Sequence, residues 1–208
     1  MLKAKDFRQE AWGKLKGRWG TMALVTFVYM LITGVCSALS YIYIGWVVSL
    51  LITGPFALGF AELALNVIRR KEVGVNGLFG GFRNFGGAFL VNLLNGIFIF
   101  LWSLLLVIPG IIKSYSYSMS YYILADHPEL SAGEVRRRSI EIMRGNKWRL
   151  FCLQFSFIGW SILCVLTLGI LTFWVTPYEQ AATAAFYQSL LPVQEEALPP
   201  AEESGNMA

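Results

Sequence analysis

The chain has 208 residues, 56% of them hydrophobic and only 14% charged, with mean hydropathy +0.56 and a formal net charge of +4. Ordinary soluble domains carry about a quarter charged residues, so the composition argues against a soluble globule and for a lipid-embedded, all-α protein. The 17 Lys and Arg fall in three blocks, residues 1–18, 69–83 and 113–149; they do not line a nucleic-acid groove interleaved with aromatics, and they read as loops held on the cytoplasmic side.

Residues 1–20 read as a basic amphipathic helix over about 4–18, with Phe7, Ala11, Trp12, Leu15 and Trp19 at helical intervals. Lys14, Lys16 and Arg18 are its candidate contacts with an anionic inner leaflet. A long basic stretch with no A-x-A site after the apolar run does not read as a cleaved signal. Spans follow at about 21–43 and 45–67, joined by a short uncharged turn expected outside. The segment 69–87 carries four basic residues and belongs inside. Its Leu78, Phe79, Phe82 and Phe85 would share one face of a short interfacial helix over 76–85. Its glycines are not a phosphate cradle, because no Gly-Lys-Ser/Thr follows them.

A third span at 87–108 ends at Pro109-Gly110, a helix-breaking pair. The basic stretch 136–149 should be inside too, so the chain must recross between 109 and 126, close to the shortest crossing possible. That crossing contains SYSYSMSYY, residues 114–122. An unpaired strand in hydrocarbon would leave its backbone groups without partners, so this stretch must be helical despite its alternation. On a helix, Lys113, Ser116, Tyr117 and Ser120 share one side. Its serines form small-xxx-small pairs suited to close helix contact, or they line a polar cavity.

Residues 126–149 return to water-side sequence. Ser131 and Glu134 make a capping box, with Leu130 and Val135 placed for a hydrophobic staple. Gly145 follows Arg144 as a C-cap. The helix expected over about 132–144 lies on the membrane, with Arg136, Arg137 and Arg138 toward lipid and Lys147, Trp148 and Arg149 anchoring the next span. The fifth span is about 150–168 and the sixth about 171–191; the alternative is five spans, with 150–175 as one long crossing. Residues 192–208, with three prolines and four glutamates, read as a disordered acidic tail. Pro55, Pro109 and Pro177 each sit near the outer end of a returning helix, which suggests three hairpins of similar build.

Polar residues fall on one face of nearly every span: Thr26, Thr33, Ser37 and Ser40; Glu62 and Asn66; Asn92, Asn95 and Ser103; Gln154 and Ser161; Thr176, Glu179, Gln180, Thr183 and Tyr187. These faces should meet inside the bundle. Glu62, Lys113 and Glu179 lie within spans, where a charge costs about 2.5–3.5 kcal/mol on insertion scales. At 1.5 Å per residue, Lys113 and Glu179 come out at about the same depth, roughly 18–20 Å from the inner face, which predicts an ion pair. Glu62 comes within reach of Arg69 or Arg70. The candidate intramembrane site is therefore Glu62, Lys113, Ser116, Tyr117, Ser120 and Glu179.

Catalytic motifs are missing from the sequence. His127 stands alone beside Asp126 and Pro128, and reads as a solvated loop residue. Asp6 and Asp126 are the only aspartates, so no paired-Asp centre can form within the membrane. Cys36, Cys152 and Cys164 have no CxxC spacing, and no metal site or cofactor is expected. Two classes of function stay open: a non-enzymatic protein binding or moving a small solute or ion in its polar interior, or an assembly scaffold engaging anionic lipid or protein partners through its basic face.

LWSLLLVIPGIIKSYSYSMSYYILADHPELSA (101–132), RSIEIMRGNKWRLF (138–151), SFIGW (156–160), TLGI (167–170) and PYEQAATAAFY (177–187) resemble, in that order, the blocks of a bacterial membrane family known as domain of unknown function 975. The resemblance implies a polytopic protein of the bacterial cytoplasmic membrane. It implies no activity and no active-site residues. Its blocks include Lys113 and Glu179.

Overall fold

A computed structural model describes residues 4–39, 44–105 and 107–195, and every regular element among them is helical. In chain order these are α1 (Ala4–Leu15), α2 (Trp19–Leu39), α3 (Ile44–Ile68), a 3-10 helix (Val75–Asn84), α4 (Phe85–Leu105), α5 (Val107–Tyr117), α6 (Ser120–Asp126), α7 (Ala132–Ile142), α8 (Lys147–Phe155), α9 (Ile158–Leu166) and α10 (Thr172–Glu195). The turn expected after the first span and the tail beyond Glu195 lie outside the described residues. The tail assignment gives up residues 192–195, which continue α10.

Two helices form the centre. α3 buries Phe56, Leu58, Phe60, Ala61, Leu63, Ala64, Leu65, Val67 and Ile68. α10 buries Tyr178, Ala181, Ala182, Ala184, Ala185, Phe186 and Tyr187, and packs against α1, α2 and α3. The run of alanines lets neighbouring backbones come close, the usual means of helix association where water drives nothing. The periphery is the reverse: Leu104, Val165 and Leu168 are 75%, 77% and 94% exposed, within an apolar surface that also takes in Leu31, Phe100, Ile108, Ile158 and Ile162. An apolar face of this extent needs a non-aqueous neighbour.

Three stretches among the described residues are long and apolar enough to cross a membrane: Leu51–Ile68, Val75–Leu104 and Lys147–Leu166. A fourth is added if Ala4–Leu15 and Trp19–Val35, bent by 100°, count as one. The expected fourth crossing is split at Ser118–Met119 into α5 and α6, and the fifth at Ser156–Phe157 into α8 and α9. Residues 150–175 are not one helix. α9 ends at Leu166, Leu168 and Gly169 both take positive φ (51° and 86°), and α10 then begins at Thr172 and packs on α9.

α1 departs from expectation. Its apolar stripe, Phe7, Ala11 and Leu15, is buried in protein and not laid on lipid. Phe7 meets Phe186 edge-on at 5.4 Å, and the Tyr178 hydroxyl donates to the Arg8 carbonyl. Its Lys14 donates to the Ile68 carbonyl at 2.6 Å, capping the open end of α3, and Arg18, just past α1, donates to the Lys71 carbonyl at 2.6 Å in the segment that follows α3. Arg8 donates to the Ser156 carbonyl at the α8–α9 break.

The segment over 75–84 is a 3-10 helix and not an α-helix, and its period of three sorts the side chains. Leu78 and Gly81 face inward and are buried. Phe79, Phe82 and Phe85 form a partly exposed row, continued by Phe56 at one end and Phe89 at the other. Leu78 is thus separated from the phenylalanines with which an α-period groups it. A side chain at Gly59 would run into the Leu78 carbonyl, and one at Gly81 into the Pro55 carbonyl. Glycine is required at both because two backbones touch there.

Candidate functional site

α5 breaks in the middle of SYSYSMSYY, and the serines meet the needs of that break. A helix that stops leaves carbonyls without N–H partners. The Ser118 hydroxyl donates to the Tyr115 carbonyl at 2.8 Å and Ser139 of α7 to the Ser116 carbonyl at 2.8 Å, while Ser116 bonds back to the Ile112 carbonyl inside α5. The second broken helix has the same arrangement, with Ser156 donating to the Leu153 carbonyl at 2.6 Å.

Beside the first break lies a cavity of about 300 Å³ lined by polar groups from the break and four helices: Ser118, Tyr29 of α2, Tyr121 and Tyr122 of α6, Gln154 of α8, and Thr176, Glu179, Gln180 and Thr183 of α10, with Ala57, Phe60 and Ala61 of α3 closing one wall. A second cavity, of about 350 Å³, opens between α4, α5 and α8 over Ser103, Gly110, Ser114 and Tyr115. Ser118 and Gln154 line both. The Tyr115 hydroxyl donates to Gln154 Oε1 at 2.8 Å, so one hydrogen bond stands where the two spaces meet.

The cavity is framed by tyrosines whose hydroxyls donate within the protein. Tyr121 donates to Asn92 Oδ1 and Tyr122 to Gln180 Oε1, both at 2.9 Å. Tyr122 stacks on Tyr187 with centroids 5.6 Å apart, and the Tyr187 hydroxyl donates to Asp126 Oδ2 at 3.2 Å. Asp126 is gripped by Arg69 through two bonds of 2.6 and 2.7 Å, tying the end of α6 to the end of α3. The carboxylate's hydrogen bond holds the Arg69 guanidinium even more firmly charged than usual.

Of the six intramembrane candidates, Glu179 alone lines the cavity. Lys113 does not pair with it. Its ammonium lies over the Trp102 ring at 4.7 Å, a cation–π contact across the α4–α5 hairpin. Equal depth for Lys113 and Glu179 requires an unbroken helical rise through 113–126, and the chain breaks at Ser118. Glu62 faces neither Arg69 nor Arg70: it abuts Gly80 of the 3-10 helix, within the electrostatic reach of Arg83. The Ser116 hydroxyl bonds back to the Ile112 carbonyl within α5, Tyr117 is buried with Arg136 6.0 Å from its ring, and Ser120 is buried. Among the basic candidates, Lys14 caps α3, Arg18 holds the Lys71 carbonyl just beyond it, and Arg136 is folded over Phe98 at 3.7 Å and not toward lipid. Lys16 and Arg137 are exposed, and Arg138 is half-buried. The polar faces of α8 and α10 do line the cavity through Gln154, Thr176, Gln180 and Thr183. Tyr29, Tyr121 and Tyr122 line it too; the adjacent tyrosines at 121 and 122 in a hydroxyl-rich crossing are a sequence signal for those two, and Tyr29 has none.

The chain matches the family described as "Protein of unknown function (DUF975)" over residues 1–113 and 104–194, and it belongs to that family. Neither the curated proteins nor the solved structures searched contain a match.

Proposed function

We propose that the protein is a non-enzymatic, multi-pass protein of the bacterial cytoplasmic membrane whose helix bundle binds or moves a small polar solute. The observation that carries this reading is the cavity at Glu179. A carboxylate, two amides and several hydroxyls are gathered inside a bundle whose outside is apolar, and intramembrane polar groups at such a cost mark solute paths. The two helices that break beside it fit the same reading, since irregular backbone at membrane depth is tolerated where it borders a cavity.

In this reading α2, α3, α4, α5 with α6, α8 with α9, and α10 make six crossings in three hairpins, with both termini inside. The Arg69–Asp126 clamp and α7 mark the inner face, where the exposed Lys16 and Arg137 meet anionic lipid.

The test is thiol labelling. With Cys36, Cys152 and Cys164 replaced by serine, Thr183→Cys and Ser118→Cys should react with a small water-soluble methanethiosulfonate in sealed membranes, and Val165→Cys should not. Unreactive Thr183→Cys and Ser118→Cys beside a reactive Val165→Cys would overturn the reading. A scaffold would instead tolerate Glu179→Gln and fail on charge reversal at Arg136, Arg137 and Arg138.

A further inference from the structure

The donors and acceptors around the cavity indicate the charge of what it holds. Ser118 donates to the Tyr115 carbonyl, Thr183 to the Glu179 carbonyl, Tyr121 to Asn92 and Tyr122 to Gln180. Each of these hydroxyls spends its only proton within the protein, so it can offer an occupant only lone pairs. The Glu179 carboxylate adds two more acceptor oxygens. No Lys, Arg or His lines the space.

The nearby cations are engaged elsewhere. Arg69 is held by Asp126, Lys113 lies on Trp102, and Arg149 lies by Phe186 at 5.5 Å. An anionic ligand would find no counter-charge, whereas a cation would find the Glu179 carboxylate. The volume, about 300 Å³, is some ten times one water's share of liquid, about 30 Å³. A bare inorganic ion would not fill it. Among the described residues no group of three His, Cys, Asp or Glu could hold a metal. Tyr29, Tyr121 and Tyr122 add aromatic rings, which favour cations.

We infer that the cavity is a site for a small organic ammonium ion, its N–H groups shared between the Glu179 carboxylate and the surrounding hydroxyl oxygens. This rests on the solute-binding reading above and names the class of solute. The same chemistry belongs to a free amine and to an amine-bearing lipid headgroup.

The test is calorimetric titration of the detergent-purified protein with ethanolamine, dihexanoylphosphatidylethanolamine, glycerol and sodium acetate. Ethanolamine should bind saturably if the occupant is a free amine; binding of the short-chain lipid alone assigns the site to a headgroup. Either binding should weaken at least about tenfold in Glu179→Gln, as loss of a charged hydrogen bond predicts, and persist in Glu62→Gln. Thr183→Met keeps the carboxylate and fills the space, and should abolish binding, so the inference is testable even if Glu179→Gln does not fold. The inference fails if neither amine binds, if binding ignores both substitutions, or if acetate or glycerol binds as well as ethanolamine. Thiol labelling of Thr183→Cys without amine binding would sink this inference and leave a water-filled cavity standing. Absent labelling would sink both.

Discussion

Asp126 holds two partners at once, the Arg69 guanidinium and the Tyr187 hydroxyl. Asp126→Asn removes the charge and one acceptor while keeping the shape. It should lower unfolding stability in detergent by about 2 kcal/mol, the usual worth of a hydrogen bond to a charged group, as read from a denaturant or thermal melt. Arg69→Lys should cost less but be measurable, because an ammonium cannot make the paired fork. Replacing Glu129, whose contact with His127 is fully at the surface, should leave the melt unchanged. At this scale the sequence revealed residue types well and partners poorly. His127 read as solvated and stands half-exposed beside Glu129, whereas Asp126 gave no sign of its partners and only the fold shows that it is a clamp. Arg136, Lys14 and Arg18 were legible as basic, but whether a long cationic side chain reaches lipid, an aromatic ring or a helix end depends on what stands beside it.

Elements were more legible than partners. The capping box at Ser131 and Glu134 is present as expected, and α7 starts at Ala132. The Ser131 hydrogen bonds hold the Glu134 acid below the ordinary glutamate range. A lowered carboxyl contributes stability that is present above its unfolded value and lost as pH falls through the folded one. The protection of amides in the first turn of α7, taken relative to their intrinsic exchange rate at each pH, should therefore hold at neutral pH and fall only on acidification below the usual glutamate range; Ser131→Ala should weaken that dependence. α1 was legible as an amphipathic helix but not in its surroundings, since a stripe of Phe7, Ala11 and Leu15 looks the same whether lipid or α10 covers it. The 3-10 helix escaped notice because Phe79, Phe82 and Phe85 fit an i, i+3 row in either helix type; the glycines between them carried the distinction. Gly59→Ala and Gly81→Ala should each destabilise by about 1–3 kcal/mol or more, the cost of forcing atoms into a filled contact. Gly96→Ala, with open space around it, should be neutral or slightly stabilising.

At the scale of the whole molecule the order of helices followed from where charge stops and starts along the chain. The breaks at Ser118 and Ser156 did not, because a hydroxyl that mends a broken helix and one that packs an intact helix look alike in sequence. The cavity was half legible. The polar face of α10 pointed to it, whereas the tyrosines closing it needed the broken helix to turn them inward. The exposed apolar periphery of α2, α4, α5 and α9, set against a buried α3 and α10, is what lipid would cover. The most direct measurement is protease access to epitope tags at the two termini, the second placed after Asn206, in sealed right-side-out vesicles washed with alkaline carbonate. Six crossings with both termini inside predict that the protein stays with the membrane and that both tags survive until the vesicles are opened. Cleavage of the C-terminal tag in intact vesicles, or release of the protein by carbonate, would contradict the account.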